Sequence, residues 1–340
     1  MGRAGLRGAL QKAALAAVVC FASEAGAVEL KGAGATFPAN LYEQWISEFN
    51  RANTDVTVTY SAVGSGEGIR QFSQGSVAFG ATERPLSDKQ VEAIAGGVLH
   101  VPTTAGMIVF AYNIPGLDKE LRLSQESVAG ILSGRIKAWN DPVIQAANPG
   151  ANLPAKDIAL VARRDSSGTT FSLTSHLAAV SSDWKEVGTT IVWPKTAQLV
   201  AGNEGVAGRI AIAEYSIGYV EYSFAARLNL RTALVENKSG QFVRADAASG
   251  AAALASTVDA MPADGRQSIP NPEGETAYPI VTYSWVLLRR ENADAAITDG
   301  LKRFFGWGLA DGQALSDKLG YIPLPAPVAE RAKAILAELR

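Results

Sequence analysis

The chain alternates short runs of β-branched residues with stretches whose apolar residues recur at helical spacing. Strands are predicted at residues 56–63, 106–113, 158–163, 189–193 and 278–288. Helices are predicted for ANLYEQWISEFNRA, IRQFSQG, ESVAGILSG, FSLTSHLAAV and GLKRFFGWGLADGQALSDKLG. This alternation indicates an α/β fold with a largely parallel sheet, in which ligands bind beyond the carboxyl ends of the strands. Residues 237–277 are rich in Ala, Gly, Ser and Pro, and an irregular excursion with one helix is expected there.

Residues 1–27 have the three parts of a secretory signal peptide. The basic start MGRAGLRGALQK precedes the apolar run AALAAVVCFA, and the small-residue pattern AGA ends at Ala27. The apolar run is too short to span a bilayer, which requires roughly 20 residues. We therefore expect an exported protein. Cys20 is the only cysteine of the sequence and lies in this segment, so no disulfide is expected after cleavage.

The charge balance excludes several classes of partner. Without residues 1–27 the chain carries 28 basic and 32 acidic residues, and its formal net charge changes from −2 to −4. Binding to nucleic acid or to an anionic membrane depends mainly on clustered Lys and Arg, which this composition does not offer. Any bound anion must therefore be held by local geometry. The remaining 313 residues favour two domains over one.

Two segments near the N-terminus combine a glycine-rich turn with the start of a helix. In GAGATFPANLYEQW, Thr36 and Phe37 precede Pro38, which suits the first position of a helix. In VGSGEGIRQF, Ser65 is the expected N-cap. A helix start presents free N–H groups and a partial positive charge, so each turn is a candidate anion site. Each turn, taken alone, also fits an ordinary capped helix.

A third segment, VARRDSSGTTFSLTSHL, adds charged residues to the same local form. Ser167, Gly168 and Thr169 open a helix, and Arg163 ends the preceding strand. A guanidinium group can form paired hydrogen bonds to a tetrahedral oxyanion, and Asp165 is placed to orient it. The alternative for Arg163 and Asp165 is a surface ion pair.

The sequence predicts no metal site, no cofactor and no catalytic residue. The two histidines, His100 and His176, are far apart and lack neighbouring Cys or His residues. GSGEG does not match the G-x-S-x-G elbow of hydrolases, and no Walker lysine follows a glycine loop. Trp193, Tyr219 and Tyr222 are interpreted as packing residues rather than as stacking platforms.

The motifs together resemble the periplasmic phosphate-binding proteins of Pst-type ABC importers. The matching segments occur in the expected order from about Lys31 to the C-terminus: GAGATFPANLYEQW, GSGEGIRQF, FGATERPLSD, NIPGL, ILSGRIKAWND, RRDSSGTTF and IGYVEYSFA. The resemblance implies the type II periplasmic-binding-protein fold, with the ligand in a cleft between two domains. Domain I would comprise residues 28–104 and 282–340, and domain II residues 105–281. The two hinge crossings would lie near residues 101–106 and 277–284.

The resemblance also implies which residues bind phosphate. Phe37 would act through its backbone N–H, Arg163 would clamp the ligand, and Asp165 would orient Arg163. The implied phosphate-binding set is Thr36, Phe37, Ser65, Glu83, Arg163, Ser167, Gly168 and Thr169.

Glu83 departs from the family pattern, which has aspartate at this position. Near neutral pH phosphate carries a proton that sulfate lacks, and a buried carboxylate can accept a hydrogen bond from it. Sites of this kind reject an analogue without the hydroxyl by roughly 10⁴- to 10⁵-fold. The extra methylene of Glu83 could shrink the pocket or shift it toward arsenate. The alternative is that Glu83 is a first-turn helix residue paired with Arg84.

The implied function is high-affinity binding of inorganic phosphate in the periplasm and its delivery to the transmembrane subunits of an ABC permease. The protein would act as a monomer and would not be an enzyme. Three alternatives remain open. The ligand could be arsenate, the protein could be a sensory paralogue, or it could be a secreted phosphate-ester hydrolase that uses Ser167 or Ser65 as nucleophile.

Overall fold

The structure, a computed structural model, describes residues 27–340, so the predicted signal peptide lies outside the described residues except for Ala27. The strands are β1 (Val28–Gly34), β2 (Val56–Ala62), β3 (Phe79–Thr82), β4 (Val98–Asn113), β5 (Arg122–Leu123), β6 (Ala159–Arg163), β7 (Gln198–Val200), β8 (Ser216–Glu221), β9 (Arg231–Thr232), β10 (Leu234–Glu236), β11 (Phe242–Val243) and β12 (Val281–Arg289). Within residues 27–340 no helix is both long enough and apolar enough to cross a membrane.

The helices pack around these strands. They are α1 (Ala39–Ala52), α2 (Ser65–Ser73), α3 (Asp88–Glu92), α4 (Gln125–Leu132), α5 (Pro142–Ala147), α6 (Gly168–Val180), α7 (Gly202–Ile212), α8 (Tyr222–Arg227), α9 (Ala247–Ala255), α10 (Ala295–Gly308), α11 (Ala314–Lys318) and α12 (Ala326–Ala337). Two 3₁₀ turns, Val258–Ala260 and Asp311–Gln313, complete the list.

The main sheet has nine strands and is mixed, which corrects the expectation of a largely parallel sheet. Its order is β2-β1-β3-β12-β4-β8-β6-β7, and β9 pairs with β4. Strands β1, β2 and β3 are mutually parallel, as are β6, β7 and β8. The long strands β12 and β4 run antiparallel to their neighbours and join these two sets. We call β1–β3 the first strand triplet and β6–β8 the second.

The carboxyl ends of the two triplets face each other because β4 passes through both halves of the sheet. Thr82, at the end of β3, lies opposite Trp285 of β12, which in turn lies opposite Pro102 of β4. Glu221, at the end of β8, lies opposite Ile108 of β4. The two sets of strand ends therefore meet along one short stretch of β4. We call the space between them the cleft.

A β-bulge lies at this stretch of β4. Ser284 pairs with Thr104, whereas the next residue, Trp285, pairs with Pro102, so Thr103 is the extra residue. Proline cannot donate to a strand ladder and is confined to edges, strand starts and bulges. This position explains why β4 continues from residue 98 through Pro102, although the sequence predicts a strand only from residue 106.

The helix start signals place α1 and α2 within one residue of expectation. Pro38 occupies the N-cap position of α1, and Ser65 is the first residue of α2 after Gly64. The buried face of α1 includes Trp45 and Phe49, which pack against Phe304 of α10. This aromatic cluster fixes α1, and hence the turn before it, against the first triplet.

The predicted strand at residues 189–193 is wrong. Ile191 and Trp193 are buried while Val192 is 86% exposed, which is the alternation that suggested a strand. The segment pairs with no strand, and β7 is the edge strand at that end of the sheet. It remains a loop in which the Thr189 carbonyl accepts from the Ser167 N–H.

The long helical stretch predicted at residues 300–320 is divided. Helix α10 ends at Gly308, and a 3₁₀ turn separates it from α11. The indole N–H of Trp45 donates to the Gly312 carbonyl at 2.9 Å, which holds the chain in this break. The excursion at residues 237–277 contains one α-helix, α9, as predicted.

Candidate ligand-binding site

Every strand of the two triplets delivers a polar residue to the cleft. The turn after β1 carries Thr36, β3 leads directly to Glu83, and β6 ends at Arg163. The remaining strands contribute the start of α2, the start of α7 and Glu221. The cleft thus collects residues from six strand ends that are widely separated in sequence.

Glu83 is buried in the cleft rather than placed on a helix. Its residue surface is 2% exposed, and it precedes α3 instead of forming part of it. The Ser284 hydroxyl donates to its Oε1 at 2.8 Å, and the Ser65 hydroxyl donates to its Oε2 at 3.3 Å. The alternative of a first-turn helix residue paired with Arg84 is therefore wrong.

Burial raises the pKa of the Glu83 carboxyl to about 7, although Ser284, the charge of Arg163 and Ser65 favour its ionised form. The carboxyl can therefore hold or release a proton near neutral pH. A group of this kind can accept a hydrogen bond from a protonated ligand when ionised, or donate one when neutral.

Arg163 and Asp165 form a buried pair, so the surface-pair alternative is wrong for Arg163. The guanidinium Nε donates to Asp165 Oδ1 at 2.8 Å and Nη2 donates to Oδ2 at 2.5 Å. The Arg163 side chain is 1% exposed and that of Asp165 is 18% exposed. Burial opposes ionisation of Asp165, but its hydrogen bonds from Arg163 lower its pKa. Nη1, which points at Thr169 Oγ1 from 3.5 Å, is the guanidinium nitrogen not committed to Asp165.

The helix starts of α2 and α6 contact each other across the cleft. The Gly168 N–H donates to Ser65 Oγ at 3.0 Å, and the Gly66 N–H donates to the Ser166 carbonyl at 3.1 Å. A Cβ on Gly66 would lie 2.1 Å from Ser166 Oγ, so only glycine permits this approach. Ser167 serves as the N-cap of α6, its hydroxyl accepting from the Thr170 N–H.

The turn before α1 leaves backbone donors free, among them the N–H of Phe37. Phe37 is fully buried, and its carbonyl accepts from the Tyr321 hydroxyl at 2.7 Å. Its N–H has no protein acceptor among residues 27–340. A third contact across the cleft follows in α1, where Asn40 Nδ2 donates to Ser223 Oγ at 2.9 Å. The structure thus brings Thr36, Phe37, Ser65, Glu83, Arg163 and Thr169 to one cleft.

Three buried polar residues of the cleft were missed by the sequence analysis: Asn203, Glu221 and Ser284. Asn203 follows β7 in AGNEG, the same strand–glycine–helix form as the other turns, and this could have identified it. Glu221 ends the apolar strand β8, and a charge at that place was also a usable signal. Ser284 lies within β12, where no local pattern distinguishes it.

Two cavities lead away from the cleft. One, of about 280 Å³, is lined by Thr36, Asp165 and Gly202. The other, of about 600 Å³, is lined by Tyr222 and Tyr321 among others. The two share Asn40, Glu43 and Arg227, so they run side by side along α1.

The histidines lie outside this arrangement. His100 accepts from the Leu86 N–H, and His176 Nδ1 pairs with the Pro270 carbonyl. Within residues 27–340 no cluster of His, Cys, Asp and Glu could hold a metal ion. Trp193 packs on Tyr219, whose hydroxyl bonds Thr170 Oγ1, in agreement with a packing role.

The buried carboxyls make stability depend on pH. Burial raises the pKa of Glu221 to about 8 and that of Glu83 to about 7, and it lowers the pKa of His100 and His176 to about 4. The two carboxyls therefore make their full contribution to the free energy of unfolding at acid pH. This contribution is lost as the pH rises through 7 and 8. The histidines lose theirs as the pH falls from about 6.5 through 4.

Above pH 6.5 only the carboxyls act, so the free energy of unfolding of the ligand-free protein should fall by up to about 1.4 kcal/mol per pH unit for each carboxyl. Urea unfolding at pH 6.5, 7.5 and 8.5 would measure this slope. Glu221→Gln should reduce it, whereas Glu204→Gln, at a side chain that is 80% exposed, should not. An unchanged slope in Glu221→Gln would contradict the assignment.

A family model described as a PBP superfamily domain matches residues 21–311. Phosphate-binding protein PstS of Pasteurella multocida (strain Pm70) is 39% identical over 319 residues, covering 92% of this chain and 91% of that protein. Phosphate-binding protein PstS of Xylella fastidiosa (strain 9a5c) is 35% identical over 320 residues, covering 93% and 87%.

Solved structures show the same fold. A high-affinity periplasmic phosphate-binding protein, PfluDING, bound with phosphate, has a TM-score of 0.74 at 22% identity and covers 90% of this chain and 93% of its own. The phosphate-binding protein from Stenotrophomonas maltophilia has a TM-score of 0.70 at 20% identity, covering 91% and 94%. The predicted periplasmic-binding-protein fold of type II is thus confirmed.

Proposed function

This chain belongs to the family of PstS-type phosphate-binding proteins, and from that premise we propose that it binds inorganic phosphate in the cleft and delivers it to an ABC importer. It would act in the periplasm, after removal of residues 1–27, as a monomeric binding protein that meets the transmembrane subunits of the permease. The buried carboxyl of Glu83, set opposite Arg163 and two helix starts, carries the proposal for the ligand.

Each polar group of the site would bind a different oxygen or hydrogen of the phosphate ion. Glu83 accepts the hydrogen of the phosphate hydroxyl, while Arg163 Nη1 and the Phe37 N–H donate to oxygens that carry no hydrogen. Charge-assisted hydrogen bonds of this type are about twice as strong as neutral ones. Ser65, Ser167, Gly168 and Thr169 complete the predicted set at the helix starts, where the helix dipoles favour the anion.

The two triplets would belong to two lobes. We propose residues 28–104 and 282–340 as one lobe and residues 105–281 as the other, with the chain crossing between them in β4 and at the start of β12. The bulge at Thr103 and the strand ends around it support crossings at this level. Closure of the lobes would remove water from the ligand and present a single surface to the permease.

Calorimetry with phosphate, arsenate and sulfate on the chain without residues 1–27 tests this function. Phosphate is expected to bind with a Kd below about 1 μM, which corresponds to about −8 kcal/mol, and sulfate should bind more weakly at pH 8. Tighter binding of arsenate than of phosphate would redirect the proposal to that oxyanion. Failure of all three to bind would contradict it.

A parallel assay separates binding from hydrolysis. The Ser65 hydroxyl contacts Glu83, and that of Ser167 caps α6, so both serines have structural partners. The purified protein should therefore release no phosphate from a generic phosphate ester. Turnover that disappears in Ser65→Ala or Ser167→Ala would overturn the binding-protein assignment.

A further inference from the structure

Asn203 joins the two sides of the cleft through a fully buried side chain. Its backbone N–H and its Nδ2 both donate to Thr36 Oγ1, at 3.1 and 2.9 Å. Nδ2 also lies 3.4 Å from Thr169 Oγ1. Asn203 belongs to the second triplet's side and Thr36 to the first, so this residue reaches both threonines of the predicted ligand set.

The orientation of the Asn203 amide is fixed by the backbone. Its Oδ1 accepts from the Glu221 N–H at 3.1 Å. A backbone N–H can only donate, so the amide atom facing it must be the oxygen. The NH₂ group therefore faces Thr36 and Thr169, and the alternative in which the amide is rotated is excluded.

This orientation determines what the Thr36 hydroxyl can do. A hydroxyl offers one donor and two acceptor positions. Asn203 occupies both acceptor positions of Thr36, and no described residue accepts the hydroxyl hydrogen. Thr36 also lines the 280 Å³ cavity, so a ligand can reach it. Its remaining capacity is donation to an atom with a lone pair.

The Thr169 hydroxyl is also arranged as a donor, although its contacts are longer. Its Oγ1 faces Asn203 Nδ2 at 3.4 Å and Arg163 Nη1 at 3.5 Å, and both of these groups are donors. The hydroxyl hydrogen of Thr169 is therefore also directed to an acceptor elsewhere. Neither threonine is arranged to receive a hydrogen from the ligand.

We propose that Asn203 is a positioning residue that makes Thr36 and Thr169 hydrogen-bond donors to the bound anion. The proposal rests on the proposed phosphate function and extends it. Glu83 is an acceptor and the threonines are donors, so the ligand must present its protonated oxygen to Glu83 and bare oxygens to the threonines. Asn203 thereby fixes the orientation of a tetrahedral oxyanion, because the oxygens that face Thr36 and Thr169 must be ones that carry no hydrogen.

A double-mutant cycle with Thr36 tests this role. Asn203→Ala and Thr36→Val should each weaken phosphate binding by roughly 5- to 150-fold, the cost of lost hydrogen bonds to a charged ligand. If Asn203 acts through Thr36, the double variant should bind about as weakly as the weaker single variant. If the fold-losses in phosphate affinity of the two single variants multiply in the double variant, the proposal is wrong.

Two further measurements separate this role from a structural one. Asn203→Leu has nearly the same shape as asparagine, lacks the NH₂ donors and adds no charge, so it should lose affinity even if the cavity left by Asn203→Ala prevents folding. In either variant the affinity relative to wild type should improve as the pH falls and phosphate gains a second proton, because Thr36 can then accept. If the ratio of variant to wild-type phosphate affinity stays constant with pH, the proposal is contradicted.

Asn237→Ala is the matched control. Asn237 is also buried, and its amide binds only backbone groups, including the Gly274 and Ala277 carbonyls, away from the cleft. This variant should lower the free energy of unfolding and leave phosphate affinity unchanged. If wild type binds no phosphate, the proposed function fails; if it binds and the cycle shows no coupling, only the role of Asn203 fails.

Discussion

The Glu83→Gln variant is expected to lose roughly 100-fold of the selectivity for phosphate over sulfate at pH 9. Sulfate has no hydrogen to donate at this pH, so it can bind wild type only if Glu83 takes up a proton and donates it. With a pKa of about 7 this uptake costs about tenfold for each pH unit above 7. The glutamine NH₂ group donates without that cost, so sulfate affinity should rise.

The selectivity for phosphate over sulfate should also depend on pH. In wild type, selectivity over sulfate should increase tenfold per unit between pH 7 and pH 9, and in Glu83→Gln it should be nearly constant. Calorimetry with both anions at pH 6, 7.5 and 9 provides the measurement. Glu67→Gln is the control, because Glu67 is partly exposed in α2 and pairs with Arg70 outside the cleft. If the variant still excluded sulfate as wild type does, Glu83 would not be the selecting acceptor.

The structure also revises the size of this effect. From the sequence alone, a buried acceptor suggests rejection of sulfate by roughly 10⁴- to 10⁵-fold. Burial raises the pKa of Glu83 enough for the neutral form to be present near pH 7, which lowers the barrier to sulfate there. High selectivity is therefore expected only in alkaline solution.

The Arg163→Gln variant is expected to weaken phosphate binding by roughly 30- to 5,000-fold. Removing one partner of a buried, hydrogen-bonded charge pair costs about 2–5 kcal/mol, much of it from the charge left unpaired. Here that charge is Asp165, whose pKa is held low by Arg163 and which lines the cavity beside Thr36. The variant thus loses a cation and gains a free carboxylate next to an anion.

Asp165→Asn in the Arg163→Gln background provides the discriminating measurement. It removes the free carboxylate, so it should recover part of the lost affinity. Arg135→Gln serves as control, since Arg135 is half-exposed and its pair with Glu126, at 3.4 Å, is a surface contact. A double variant that bound no better than Arg163→Gln would show that repulsion by Asp165 contributes nothing.

The helix starts could be predicted from the sequence because their signals are local. Glycine, serine and proline at a strand end specify a turn and a cap within a few residues, and α1, α2 and α6 begin within one residue of expectation. The failure at residues 189–193 has the opposite cause. Alternating burial is a local property, but a strand also needs a pairing partner from elsewhere in the chain, and residues 189–193 have none.

The remaining cleft residues depend on contacts between distant parts of the chain. Ser284 reaches Glu83 because β12 pairs with β3, and Asn203 reaches Thr36 because the two triplets face each other. No spacing in the sequence encodes these distances. The full length of β4 could not be predicted either. A proline such as Pro102 normally interrupts a strand, and only the pairing with β12 shows that it lies beside a bulge at Thr103.

Two contacts across the cleft join residues outside the proposed ligand set: Gly66 to Ser166, and Asn40 to Ser223. Any opening that admits a ligand must break them. These contacts therefore set the fraction of ligand-free protein in which the cleft is closed. The apparent dissociation constant equals the intrinsic one divided by the competent fraction, and about 1.4 kcal/mol in that equilibrium changes it tenfold. Natural selection can therefore adjust how strongly this protein scavenges its ligand through residues that never touch it, leaving the recognition chemistry intact.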